Sequence, residues 1–118
     1  IHLLAVDWKQ RALVIVAEVA GGLLGYLTLT HVITPQVGVI ADFAVDRKVR
    51  RRGVGTSLLG AARDWATRSG LQRLIIETQS KNFPAICFCQ RKGFAYCGYN
   101  DRYYGSQDIA LFFGMKLR

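Results

Sequence analysis

Cysteine is scarce in this chain of 118 residues, which also contains only one methionine and two prolines. The three cysteines, Cys87, Cys89 and Cys97, are odd in number and have no paired spacing, which argues against a disulfide framework. No metal site is predicted, because no second pair of thiols accompanies Cys87 and Cys89 and because His2 and His31 are distant in sequence. We therefore expect reduced, buried thiols and a cytoplasmic location.

Long apolar runs are also missing. The longest stretches, such as residues 12–17, meet a charged residue within a few positions, which excludes a membrane-spanning helix. No charged leader with an apolar core and a cleavage site opens the sequence, so no secretory signal is predicted. Residue 1 is Ile rather than Met, which is consistent with a trimmed start. With 51% apolar and 20% charged residues, the chain is neither disordered nor fibrous, and its length predicts a single domain over residues 1–118.

Acidic residues are half as numerous as basic ones, since eight Asp and Glu stand against sixteen Lys and Arg, for a net charge of +8. Five of these cations are clustered between positions 47 and 52: Arg47, Lys48, Arg50, Arg51 and Arg52. Such a cluster indicates an anionic partner (a phosphate, a nucleic acid or an acidic surface) unless it is only a solvated loop. Because no base-stacking module or recognition-helix motif accompanies it, we expect no nucleic-acid partner and no membrane partner.

The residue patterns predict elements in the order β-β-β-α-β-α-β-β. A β-hairpin is predicted over residues 11–33 with its turn at Gly21-Gly22, followed by a strand over 37–45. Apolar spacing predicts a helix over 54–69 that Gly70 closes. The remaining predictions are a buried strand at 74–76, a short helix between the N-cap Asn82 and Gly93, and strands over 94–104 and 108–117. This order predicts an α/β fold of the α+β type, with a mixed, mostly antiparallel sheet and a central right-handed parallel crossover over 37–78.

The densest pattern lies between the third strand and the first helix, in the segment Arg50 to Thr56 (RRRGVGT). Its glycines let a ligand approach the backbone, and the free N–H groups of the helix N-terminus favour an anion, so we predict a pyrophosphate-binding loop. A dinucleotide fingerprint needs a third glycine where Leu58 stands. A nucleoside-triphosphate loop needs a lysine where Ala61 stands.

The spacing of Arg50, Gly53 and Gly55 resembles the first signature of the GNAT superfamily of acetyl-CoA-dependent N-acetyltransferases. A second stretch resembles that superfamily's second signature: Asn82, Ala85, Phe88, Lys92, Gly93 and Phe94. The resemblance covers about residues 11–117. A finer likeness, to the streptothricin acetyltransferase branch, involves residues 77–79, 82–85, 101–103 and 109–112. That branch acetylates an amino group of an antibiotic that contains β-lysine.

The resemblance implies that acetyl-CoA is the co-substrate and assigns it a binding site. Arg50 would add positive charge near the pyrophosphate. The pyrophosphate itself would be bound by the main-chain N–H groups of Arg51, Arg52, Gly53, Val54, Gly55 and Thr56. Main-chain groups of Phe43, Ala44 and Val45 would bind the pantetheine arm, and one N–H there is a candidate oxyanion donor. Asn82 would contact the pantetheine, act as a helix N-cap, or do both.

Acetyl transfer calls for a group that takes a proton from the amine and, where the leaving thiolate needs one, a group that donates a proton to it. The attacking amine must be neutral, so a base or a water chain has to remove a proton, and Asp42 and Glu77 are the nearest candidates; each is otherwise a structural or solvated carboxylate. Cys89 stands where the resemblance implies a tyrosine that protonates the leaving thiolate. It is either that proton donor or a small buried residue. The possible substitutes are Tyr96, Tyr99, Tyr103 and Tyr104, of which Tyr103 is favoured by its likeness to the streptothricin acetyltransferase branch. Alternatively, the CoA thiolate is a good leaving group and needs no dedicated acid.

The family's N-terminal strand and helices, which shape the acceptor pocket, are expected to be missing here, because only about ten residues precede the hairpin. The predicted activity is direct acetyl transfer to a primary amine, either of an antibiotic or another small molecule or of a protein. A non-catalytic acyl-CoA-binding or sensor domain is the alternative. The oligomeric state is open, with a homodimer among the options.

Overall fold

The computed structural model describes residues 1–8, 12–31, 36–50, 52–101, 105 and 108–117. Its strands are β1 (His2–Trp8), β2 (Ala12–Val19), β3 (Gly22–His31), β4 (Val37–Val45), β5 (Arg73–Gln79), β6 (Ala95–Asn100) and β7 (Ala110–Lys116). Its helices are α1 (Val54–Arg68) and α2 (Phe83–Arg91), and a short 3₁₀ turn spans Arg47–Val49. The elements that the sequence predicts are all present, with ends that differ by a few residues.

All seven strands form one sheet in the order β1-β2-β3-β4-β5-β7-β6. Within the described residues, β4 and β5 form the single parallel pair and every other neighbouring pair is antiparallel. Helix α1 connects these two strands. The mixed, mostly antiparallel sheet with a central parallel crossover is therefore confirmed.

Strand β1 is the one strand described here that the residue patterns did not predict. It pairs with β2 in antiparallel register, from His2 opposite Glu18 to Trp8 opposite Ala12. Residues 3–6 (LLAV) are all apolar, so they show no alternation of polar and apolar side chains, which is the usual sign of a half-buried strand. The residues before the hairpin thus add an edge strand to the sheet.

Both helices cover the same face of the sheet, and the core lies between them and the strands. Its strand residues alternate with exposed ones, as expected for a sheet with one covered face. The fully buried strand and helix residues include Leu27, Leu29, Ile40, Leu58, Ala62, Leu74 and Phe113. Burying each large side chain contributes about 1.5–3 kcal/mol. On the other face Leu4 and Val6 remain 46% and 44% exposed.

The helix boundaries follow the predicted caps. The Asn82 side chain accepts a hydrogen bond from the Ala85 N–H at 3.2 Å, and Pro84 lies in the first turn of α2. Gly70 and Gly93 follow the two helices with φ values of +84° and +89°. In the described part of the chain, neither helix is long and apolar enough to cross a membrane.

Candidate functional site

A gap opens between β4 and β5 partway along the sheet. The two strands pair from Val37 opposite Arg73 to Ile40 opposite Ile76, and then they separate. Beyond that point β4 stays on β3 as far as Val45, while β5 stays on β7 as far as Gln79. In the described part of the chain, the main-chain groups of residues 41–45 that face β5 therefore have no strand to pair with. Such an edge can bind an extended ligand through strand-like hydrogen bonds.

A β-bulge in β4 marks the start of the gap. Leu29 lies opposite Ile40 and Thr28 lies opposite Asp42, so Ala41 is the extra residue. Bulges of this kind re-aim the side chains that follow. Phe43 and Val45 pack against the core, whereas Asp42 and Ala44 are exposed on the face without helices.

Gly25 on β3 lies opposite Val45 at the end of β4, and the sequence analysis did not include it among the candidate site residues. A Cβ atom at this position would lie 2.6 Å from the Ala44 carbonyl oxygen and 3.2 Å from the Val45 Cα. Glycine is therefore needed for β4 to run this close to β3. A glycine inside a strand pattern is a recognised sign of a close backbone approach, so the sequence did contain this information.

The N-terminus of α1 carries no side-chain cap. Gly53 precedes it with a left-handed conformation (φ +82°), and its carbonyl accepts from the Ser57 N–H at 2.9 Å. The N–H groups of Val54, Gly55 and Thr56 have no carbonyl partner within the helix, and the helix dipole makes this end partly positive. Helix N-termini with these features can bind anions, and the pyrophosphate site that the glycines predict stays a prediction.

The basic segment before α1 is attached to the end of β4. The Asp46 N–H donates to the Leu24 carbonyl at 2.7 Å, and the Asp46 carboxylate accepts from the Lys48 N–H at 2.9 Å. The Arg50 Nε donates to the Val45 carbonyl at 3.4 Å. Arg50 and Arg52 are exposed beside the helix N-terminus, whereas Arg51 lies outside the described residues.

Aromatic side chains join β4 to both helices next to the gap. The rings of Phe43 and Phe88 meet edge to face, with their centroids 5.6 Å apart. A Cβ added at Gly55 would lie 3.5 Å from the Phe88 ring, and the Lys92 Nζ lies 5.7 Å from the centroid of that ring. Phe88 thus packs between β4 and the start of α1.

The two predicted carboxylates flank the gap. Glu77 is the first residue of β5 beyond its pairing with β4, and Asp42 follows the bulge on β4. Asp42 is exposed and accepts a hydrogen bond from the Thr28 hydroxyl at 2.9 Å. Glu77 is half-buried and alternates with the buried Ile76 and Thr78, so it projects to the face without helices. The structure therefore brings both carboxylates to the same face of the sheet.

Cys89 is buried on the inner side of α2 with 1% of its surface exposed. Burial raises the pKa of its thiol from 9.0 to about 11, although a backbone hydrogen bond partly opposes that effect. A buried thiol with such a high pKa is a poor proton donor near neutral pH. Cys87 and Cys97 are exposed free thiols, so the expectation of buried cysteines is wrong for these two.

The raised pKa of Cys89 predicts a pH-dependent contribution to stability. The stability that comes from burying the neutral thiol is fully present below pH 9 and is lost between pH 9 and 11, because only the unfolded chain ionises there. We expect Cys89→Ala to be destabilised by roughly 1 kcal/mol at pH 8. Urea unfolding at several pH values should show this difference shrinking as the pH rises. Cys97→Ala, which removes an exposed thiol, is the control, and a constant difference for Cys89→Ala would contradict the prediction.

Two of the tyrosine candidates, Tyr96 and Tyr99, lie on β6, the edge strand that β5 and β7 separate from β4. Tyr96 packs edge to face on Phe113 with centroids 6.0 Å apart, and Tyr99 is 66% exposed on β6. Tyr103 and Tyr104 lie outside the described residues, so the structure does not place them. Among the described residues, no group of three or more His, Cys, Asp or Glu side chains is arranged to hold a metal ion.

The seven-stranded mixed sheet, with a gap between its parallel strands and a glycine before the uncapped helix α1, has the fold of known acetyltransferases. Residues 2–94 match the Acetyltransferase (GNAT) family, and the chain belongs to that family.

Three relatives show how similar this chain is to individual members of the family. The streptothricin acetyltransferase of Streptomyces lavendulae is 33% identical over 84 residues, which is 71% of this chain and 44% of that protein. The matched part is thus less than half of that relative's length. The crystal structure of a nourseothricin acetyltransferase is similar at a TM-score of 0.85 and 26% identity, over 93% of this chain and 68% of that one. A Bacillus anthracis protein solved in complex with acetyl coenzyme A has a TM-score of 0.81 and 25% identity, over 92% of this chain and 64% of that one.

Proposed function

We propose that this chain transfers an acetyl group from acetyl-CoA directly to a primary amine. The observation that carries the proposal is the uncapped N-terminus of α1 beside the gap between β4 and β5. One feature binds a pyrophosphate and the other binds an extended arm, and acetyl-CoA contains both groups. The complex of a relative with acetyl coenzyme A supports the same choice.

Each part of acetyl-CoA has a matching set of residues. The pyrophosphate lies against the main-chain N–H groups from Arg52 through Gly53 to Thr56, at and just before the start of α1, with the Arg50 charge nearby; Arg51 keeps the same role as a prediction from the sequence. The pantetheine arm pairs with the free edge of β4 at Phe43, Ala44 and Val45. Asn82 already caps α2 through its side-chain oxygen, and its amide nitrogen can donate to the same arm.

The gap also explains how the two substrates meet. The pyrophosphate site is on the face covered by helices, so an arm that passes through the gap brings the thioester to the other face. Asp42 and Glu77 lie on that face. When the amine attacks, a C–N bond forms, the C–S bond breaks, and the amine proton leaves to a base, for which we propose Glu77. Asp42, held by Thr28, attracts the cationic acceptor.

The leaving thiolate needs no dedicated acid in this proposal. Proton transfer from a thiol with a pKa of about 11 to the thiolate of an unperturbed thiol is unfavourable, because the pKa of an unperturbed thiol is lower. We therefore propose that Cys89 only packs in the core on the inner side of α2, and we keep Tyr103 as an alternative proton donor. Water at the open face of the gap can protonate the thiolate after it leaves.

The acceptor that we propose is a small amine, such as a streptothricin-type antibiotic. Its support is the likeness to streptothricin and nourseothricin acetyltransferases. The alternatives are a protein amino group and a non-catalytic acyl-CoA sensor, for which Cys89 in place of tyrosine is the supporting feature.

A turnover assay separates these functions. Release of CoA thiol is followed with a panel of streptothricin, polyamines and N-terminal peptides, and CoA binding is measured in the same samples. Turnover on one amine is expected and identifies the acceptor class. Binding without turnover on any amine favours the sensor, and no binding of CoA refutes the proposal.

Gly53 provides a direct test of the anion site. An alanine at φ +82° is strained although no atom lies within 4 Å of its Cβ, so the start of α1 should rearrange. We expect Gly53→Ala to weaken acetyl-CoA binding about tenfold, whereas Gly53→Asn should retain most of the affinity because asparagine tolerates this conformation. Calorimetric titration measures both. Equal affinity of the alanine variant and the native chain would remove Gly53 from the site.

A further inference from the structure

A second cavity lies at the opposite end of the β4–β5 pair from the gap. It has a volume of about 380 Å³ and is lined by Gln36, Val37, Gln72, Arg73, Gly114 and Lys116. Val37 and Arg73 form the first pair of the parallel segment, and the gap begins after the fourth pair. At 3.3 Å per residue the two sites are roughly 10–13 Å apart along the strands. Acetyl-CoA bound in the gap would leave this cavity accessible.

Two cations lie opposite each other in the cavity, with no carboxylate partner among the described residues. Arg73 lies directly opposite Lys116 in the antiparallel β5–β7 register. Like charges at such a position destabilise a sheet. Within the described ranges, the ion pair found is Lys81 with Asp108 at 3.5 Å, and no carboxylate there pairs with Arg73 or Lys116. The repulsion between the two cations destabilises the sheet, and an anion bound between them would relieve that repulsion.

Gly114 allows the Arg73 guanidinium to lie flat on the sheet. A Cβ at position 114 would be 2.7 Å from one terminal guanidinium nitrogen of Arg73 and 3.3 Å from its Cζ. The planar group therefore rests over the glycine backbone on the face where Lys116 also projects. A guanidinium held in this way can present parallel N–H groups to a carboxylate or a phosphate.

The main chain around the cavity is held by hydrogen bonds. The Gln36 carbonyl accepts from the N–H groups of Gln72 and Arg73, at 2.7 and 3.1 Å, and the Gln72 carbonyl accepts from the Leu117 N–H at 2.8 Å. These bonds connect the segments that carry the lining side chains. The amide side chains of Gln36 and Gln72 are exposed at the rim and can donate to a ligand.

We propose that this cavity binds a small dianion, a metabolite that carries a phosphate or two carboxylates, between Arg73 and Lys116. The cavity volume is near the lower end for small-molecule sites, which suits a ligand of this size. The ligand would contact both β5 and β7 at the end of the sheet where β4 and β5 are still paired.

The test follows backbone amide signals by NMR during titration with inorganic phosphate or with succinate. Gly114 reports on the cavity and Gly55 reports on the start of α1. We expect saturable shifts at the backbone amide of position 114 (glycine in the native chain, alanine in Gly114→Ala), with a dissociation constant that rises at least tenfold in Arg73→Gln and in Gly114→Ala. The second variant keeps the charge but displaces the guanidinium. The Gly55 response should be the same in both variants.

Arg63→Gln is the matched control, since it removes the same charge from an exposed position on α1. It should leave the Gly114 titration unchanged. Tighter binding of phosphate or of succinate identifies which oxyanion the site prefers. The proposal is overturned if neither anion gives a saturable shift at Gly114, or if Arg63→Gln weakens the response as much as Arg73→Gln does.

Discussion

Glu77→Gln should lower kcat by about 10²-fold or more at neutral pH, because a positioned general base contributes about 10²–10⁴-fold. Glutamine has nearly the same shape as glutamate but cannot accept the amine proton. The KM for acetyl-CoA should change little, since Glu77 projects to the face away from the start of α1. Steady-state kinetics over a range of pH measures both parameters. Activity of the variant should recover partly at high pH, where more of the amine is already neutral.

Two further variants, one a control and one a comparison, are needed to interpret the result for Glu77→Gln. Glu18→Gln changes an exposed carboxylate on β2, far along the sheet from the gap, and should leave kcat unchanged. Asp42→Asn should mainly raise the KM for the amine, because Asp42 attracts the acceptor and does not take its proton in our proposal. A large fall in kcat for Asp42→Asn with a native kcat for Glu77→Gln would exchange the two roles. Native kinetics for both would exclude Glu77 and Asp42 as the base.

The sequence predicted the features that depend on neighbouring residues. The caps at Asn82 and Gly70, the apolar stripe of α1 and the glycines at its start all act within one or two turns of the chain. Local patterns are sufficient to place such features. The uncapped start of α1 after Gly53 could therefore be predicted from the residues alone.

The gap could not be predicted in this way, because it depends on which strands pair and where the pairing stops. The bulge at Ala41 has no local signature, since any residue can occupy it. Strand β1 was missed because its apolar run does not alternate. Glu77 and Asp42 were chosen from their positions along the chain, but only the register places both beside the gap. The like-charged pair of Arg73 and Lys116 also depends on register between strands distant in sequence.

The close approach at Gly25 leads to the second large prediction. In Gly25→Ala the new Cβ would meet the Ala44 carbonyl oxygen at 2.6 Å and the Val45 Cα at 3.2 Å. Both obstacles are main-chain atoms, so no side-chain rotation can relieve the contact. The end of β4 must move away from β3, and the unfolding free energy should fall by about 1–3 kcal/mol.

The same movement should weaken acetyl-CoA binding, because the displaced residues 43–45 form the edge that we propose for the pantetheine arm. We expect the dissociation constant to rise about tenfold, which corresponds to about 1.4 kcal/mol. Gly98→Ala is the matched control, since Gly98 also lies in a strand and no atom is within 4 Å of its added Cβ. Calorimetry gives the affinity and urea unfolding gives the stability. If Gly25→Ala loses stability but binds acetyl-CoA as tightly as Gly98→Ala, the edge of β4 does not hold the arm. If it loses neither, β4 accommodates a Cβ at this position, and the close packing of β3 against β4 is not required for function.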